Sequence, residues 1–113
     1  MYNMPMITHI VMWKTAGKNP AEKQAAARTI KEALESLPGR VPGIEFLDVG
    51  LDETQGPSSF DVVLTTRFRS WEDLQNYRVH PEHVAVGDVV AAHTEDRAVV
   101  DYAGGSADYS SGE

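Results

Sequence analysis

Along residues 6 to 14, MITHIVMWK, the positions Ile7, His9, Val11 and Trp13 fall on one side of an extended chain and Thr8, Ile10 and Met12 on the other. Both sides are largely apolar, which predicts a strand covered on both faces. The period then lengthens. Ala26, Ala27, Ile30, Ala33, Leu34 and Leu37 recur at threes and fours, while Glu22, Lys23, Arg28, Lys31, Glu32 and Glu35 fill the opposite side. This predicts a helix from about residue 20 to about residue 37. Asn19 supplies its N-cap, Pro20 its first helical position and Glu22 an acidic third residue, with Pro38 and Gly39 ending it.

Two further runs read as strands, IEFLDVGL at 44 to 51 and FDVVLTTRFR at 60 to 69, the second with Phe60, Val62, Leu64, Thr66 and Phe68 on one face. The polar DETQGPSS between them suits a turn, so the two are expected to pair as a hairpin. Ser70 caps a short helix, WEDLQNY, and a second helix begins at Pro81 and runs to about His93. His80 would be its N-cap, a poor residue by capping statistics. DRAVVDY, 96 to 102, is a final strand.

The order strand, helix, strand, strand, helix pair, strand matches an α+β, ferredoxin-like split βαβ protomer: a four-stranded antiparallel sheet with helices on one face. Because the strands carry apolar residues on both sides, the uncovered face is expected to meet a second copy, giving a homodimer. One domain, 1–103, is expected, followed by a disordered acidic tail, 104–113.

Composition then narrows the function classes. A net charge of −7 with scattered basic residues argues against nucleic acid as partner. No apolar run approaches the roughly 20 residues that span a bilayer, and the first residues lack a basic, cleavable leader, so neither a membrane nor export is expected. The absence of cysteine removes disulfides, thiolate zinc sites and thiol nucleophiles, and fits a cytoplasmic protein. No phosphate-cradling glycine loop follows a strand, so no cofactor is expected.

THIVMWK in the first strand, FDVVLTTRFRSWEDLQNYRVHPEHVAVGDVV in the middle and DRAVVDY at the end resemble the stress-responsive dimeric alpha/beta-barrel domain family, over roughly residues 6 to 102. A first-strand histidine together with Y..HPEH before a helix is the specific part. The resemblance implies a ferredoxin-like protomer that pairs with a twin, and a cavity between sheet and helices. It does not imply one activity, although the plant olivetolic acid cyclase, a member, closes a polyketide by an aldol-type condensation. By that resemblance Tyr77 and His83 are the candidate catalytic pair. His9, Val11, Trp13, Val62, Val86 and Gly87 are the expected substrate-binding positions. Two departures argue against an identical substrate: Val62 stands where the cyclase has a pocket histidine, and Ala27, Arg28 and Lys31 stand near its pocket aromatics.

The residues fit such chemistry on physical grounds. His83 would be the third residue of a helix, where the unpaired N–H groups disfavour imidazolium and keep the ring able to accept a proton. Tyr77 would donate a hydrogen bond to a carbonyl oxygen as negative charge develops there. The alternative for the pair is structural, with Tyr77 closing a short helix and His83 at the surface. His80 with His83 suggests a metal by spacing, but His80 precedes a proline and is biased to an extended conformation, and no third ligand is evident; no metal is expected. His93 fits a helix C-terminus, and Trp13 and Trp71 read as packing residues. Expected, then, is a homodimeric protein that holds a small, largely apolar carbonyl or phenolic molecule in each protomer; if it is an enzyme, the expected class is a cofactor-free cyclase, isomerase or lyase with a Tyr77–His83 pair. The alternatives are a non-catalytic stress-response or ligand-binding protein and a cofactor-free monooxygenase.

Overall fold

A computed structural model describes residues 5–105; most of the expected acidic tail lies outside them. The elements follow in the predicted order: β1 (Ile7–Thr15), α1 (Pro20–Glu35), a single 3-10 turn (Leu37–Gly39), β2 (Phe46–Leu51), β3 (Val62–Phe68), α2 (Trp71–Val79), α3 (Pro81–Ala92) and β4 (Thr94–Ala103). They build one antiparallel sheet of order β2-β3-β1-β4, the ferredoxin-like plan, with β2 and β3 paired as expected.

Helix starts are set by local hydrogen bonding. Asn19 accepts from the Glu22 N–H, Ser70 from the Asp73 N–H, and Pro20 and Pro81 occupy first helical positions that need no donor. His80 corrects the expectation that it is a poor cap. It is extended, ends α2, and its Nδ1 accepts the Glu82 N–H at 3.1 Å, so an imidazole does the work usually given to a hydroxyl or carboxylate. Helix α1 closes two residues earlier than predicted, because Pro38 biases Leu37 away from helical geometry; Leu37 is nonetheless fully buried from its 3-10 turn.

Strand alternation decides what meets the helices. Ile7, Val11 and Trp13 of β1, Val62, Leu64 and Phe68 of β3 and Val49 of β2 are buried against Ile30 and Leu34 of α1, Leu74 and Tyr77 of α2, and Val86 and Val90 of α3. Trp13 is a packing residue as expected, whereas Trp71 is 53% exposed, since the two-turn α2 buries only Leu74 and Tyr77. The odd-numbered residues of β1 thus lie under the helices. The even-numbered ones look out from the other face.

Candidate functional site

Strand register builds the site in three cross-strand rows on the helix-covered face. Leu51, Val62, Trp13 and Arg97 form one; Val49, Leu64, Val11 and Val99 the next; Leu47, Thr66, His9 and Asp101 the third. The first two rows are apolar except at Arg97. The third places His9 directly opposite Asp101, and His9 Nδ1 lies 2.5 Å from Asp101 Oδ1. The second oxygen of Asp101 accepts from the Arg78 guanidinium, reaching over from α2. One carboxylate therefore joins β1, β4 and α2.

The hydrogen bonds also select the histidine tautomers. A carboxylate can only accept, so His9 Nδ1 carries the proton and Nε2 is the nitrogen without a partner among the described residues. His83 Nδ1 lies 3.1 Å from the Arg78 carbonyl oxygen, which likewise only accepts, so its Nε2 is also left as a proton acceptor. Burial lowers the pKa of His83 below its ordinary value; the positive charges of His9, when protonated, of Arg97 and of Arg78 act the same way, and the Arg78 carbonyl opposes them. Burial is the leading cause, where the sequence had pointed to the field of the helix terminus. The pKa of His9 is lowered as well, again by burial first, with Asp101 opposing and Arg78 and Arg97 assisting.

Tyr77 lies between these groups. Its ring centroid is 4.2 Å from that of His83, 6.1 Å from His9 and 5.0 Å from Phe68. The side chain is fully buried, its hydroxyl has no hydrogen-bond partner among the described residues, and burial pushes its pKa well above the ordinary value, so it stays protonated.

A cavity of about 520 Å³ opens between the sheet and α3. His9, Val11, Trp13, His83, Val86 and Gly87 are all on its wall, joined by Leu34, Leu64, Val90 and, from the rim, Arg78, Arg97 and Val99. Two sequence candidates are placed elsewhere. Tyr77 sits behind the histidines and is not part of the wall, and Val62 is packed into the core between Trp13 and Leu51. A larger polar cleft of about 820 Å³, lined by Lys14, Lys18, Lys23 and Asp61 among others, lies at the start of α1 and holds none of the predicted site residues. No group of three or more His, Cys, Asp or Glu side chains among the described residues is arranged to hold a metal.

Asp101, Arg78 and Arg97 were not singled out from the sequence. An acidic residue inside the apolar run of β4 was a visible signal for Asp101. Its partner was not visible, because pairing with His9 spans 92 residues of chain.

Comparison with known proteins agrees with this architecture. No curated protein sequence matches the chain. Among solved structures, a dimeric protein of ferredoxin-like fold from Bacteroides fragilis is 37% identical, with 90% of this chain and 99% of that chain covered and a TM-score of 0.79. A dimeric ferredoxin-like protein from Thermobifida fusca is 21% identical (91% and 94% covered, TM-score 0.72). The hydroxynitrile lyase of Passiflora edulis is 19% identical (89% and 94% covered, TM-score 0.73), a likeness of fold. Residues 7–103 match the Stress responsive A/B Barrel Domain family, and the chain belongs to that family.

Proposed function

We propose that this chain forms a homodimer through the open face of its sheet. Each protomer then holds a small, largely apolar carbonyl or phenolic molecule in the cavity beneath α3 and acts on it by cofactor-free acid/base chemistry of the polyketide-cyclase kind. The observation that carries the reading is the convergence of His9 and His83 on one largely apolar wall, each ring with an Nε2 that has no partner among the described residues. In this scheme neutral His83 removes a proton from the carbon next to a carbonyl, a step for which a positioned base contributes about 10²- to 10⁴-fold. His9, held by Asp101, receives or relays that proton, since the carboxylate stabilises its imidazolium. The protonated Tyr77 hydroxyl is the donor for an oxygen that reaches between the two histidines. The dimer is supported by the apolar side chains of the open face, Ile10, Met12, Val63, Ala98 and Val100, and by the dimeric relatives. A cysteine-free chain suits a reducing compartment, and we place the dimer in the cytoplasm.

One observation favours a second reading, a binding protein without catalysis: the Tyr77 hydroxyl is buried away from the cavity wall, so the tyrosine acts as a brace for the histidine rings. A screen of carbonyl and phenolic compounds against the wild type, His83→Ala and Tyr77→Phe separates the two. Turnover lost in folded His83→Ala supports catalysis. Binding without turnover in every form supports the second reading, and binding unchanged in both variants removes these residues from the site.

A further inference from the structure

The cavity wall carries a charge imbalance that acid/base chemistry does not use. The chain has 17 acidic residues against 10 basic ones, yet the residues lining the cavity include Arg78 and Arg97 and no carboxylate. The two arginines differ in what they face. Arg78 is answered inside the protein by Asp101. Arg97 has no carboxylate within ion-pair distance among the described residues. Its neighbour Asp96 pairs in register with Lys14 on the opposite face of β4, and its Oδ1 accepts the Arg97 backbone N–H. Strand parity puts Arg97 on the same side as Val99 and Asp101, and pairing puts it opposite Trp13, so its guanidinium stands at the cavity rim and not on the open face. Its charge reaches both histidines and helps keep them neutral.

We infer that the cavity takes a small monocarboxylate, its apolar body against Val11, Trp13, Val86 and Val90 and its anionic head on the Arg97 guanidinium. This rests on the ligand reading above and specifies the charge of that ligand. A neutral carbonyl or phenol leaves Arg97 facing water and gains nothing from it. A carboxylate meets a planar fork of donors that matches it in two-point geometry. The body of the ligand closes the rim and thins the water around the pair, which strengthens their attraction. The apolar wall accounts for the rest of the molecule, and a carboxylate that also bears a carbonyl serves the His83 chemistry.

Phenylacetate and its neutral counterpart phenylacetamide test this on the full chain, by calorimetry and by NMR of the histidine rings at neutral pH. Phenylacetate is expected to bind about five- to tenfold tighter than the amide, the range for a charge-assisted pair at a half-open rim. It should shift the His9 and His83 ring signals and weaken as salt is added. Arg97→Gln should bring the two probes to equal affinity, and Arg97→Lys should fall between. Thermal unfolding checks that both variants keep the fold. Equal binding of the two probes by the wild type, or an unchanged preference in Arg97→Gln, overturns the assignment of charge while the cavity stands as a ligand site. If phenylacetate instead perturbs Lys18 and Lys23 at the other cleft, the assignment is likewise overturned. If neither probe reaches His9 or His83, the cavity reading itself fails and this inference with it.

Discussion

The two faces of the sheet are built from similar side chains and have opposite fates. Beneath the helices, Val11, Leu64 and Phe68 are at most 2% exposed, and the polar residues sealed among them include Thr66, Thr15 and His9. On the other side Ile10 and Met12 are half-buried, Val100 is 57% exposed and Tyr102 42% exposed. An apolar residue on the covered face therefore holds the protomer together, while one on the open face holds nothing within it. Conversely, a polar residue on the covered face needs a purpose. Thr15 is answered by Asp61, Thr66 by the His9 carbonyl, and His9 by Asp101.

That contrast is broken most severely by Phe68→Ala. A fully buried aromatic leaves a cavity, and the expected loss is about 3–5 kcal/mol in urea unfolding with an unchanged m-value. Val100→Asp probes the other face. It should alter the protomer's own stability by less than about 0.5 kcal/mol, yet weaken the dimer roughly 100-fold, about 2.7 kcal/mol, in sedimentation equilibrium. A variant that stays fully dimeric removes the open face as the interface. Asp101→Asn sharpens the comparison within the covered face. It deprives His9 and Arg78 of a shared acceptor charge and should cost about 1–3 kcal/mol, read by equilibrium unfolding.

The smallest effect expected is on pH dependence. His9 faces Asp101, Arg78 and Arg97; His83 faces His9, Arg78 and Arg97; both have pKa values below the ordinary 6.5. In the unfolded chain these rings take up protons near that ordinary value, while in the folded chain they do not until lower pH. The unfolded state then binds more protons, so stability is fully present above about pH 6.5 and declines as pH falls below it. Thermal unfolding of the double variant His9→Asn, His83→Asn should show a shallower decline. An unchanged slope would assign it to other groups.

Much of this was readable in one dimension because the signals are local. The period of α1, the asparagine and serine caps, and the prolines at first helical positions depend only on neighbours within a turn. The alternation in β1 likewise put His9, Val11 and Trp13 on one face before any contact was known. The Y..HPEH stretch contains Tyr77 and His83, whose rings do meet, but spacing could not say that the tyrosine would lie behind the histidine and outside the cavity wall. Val62 shows the same limit. It has the parity of the covered face, but its place in the row puts it in the core.

By itself, then, the sequence determined the element order, the ferredoxin-like plan, the apolar surplus of the open face and the membership of His9 on the inward side of β1. Tertiary structure alone decided that His9 is held by Asp101, that Arg78 shares that carboxylate, and that Arg97 stands at the rim without an ion-pair partner among the described residues. The physical reason is that parity is set by a residue's own strand, whereas partners are set by register between strands distant in the chain. A shift of one residue in the β1–β4 pairing would have put the aspartate on the other face and left the histidine without it.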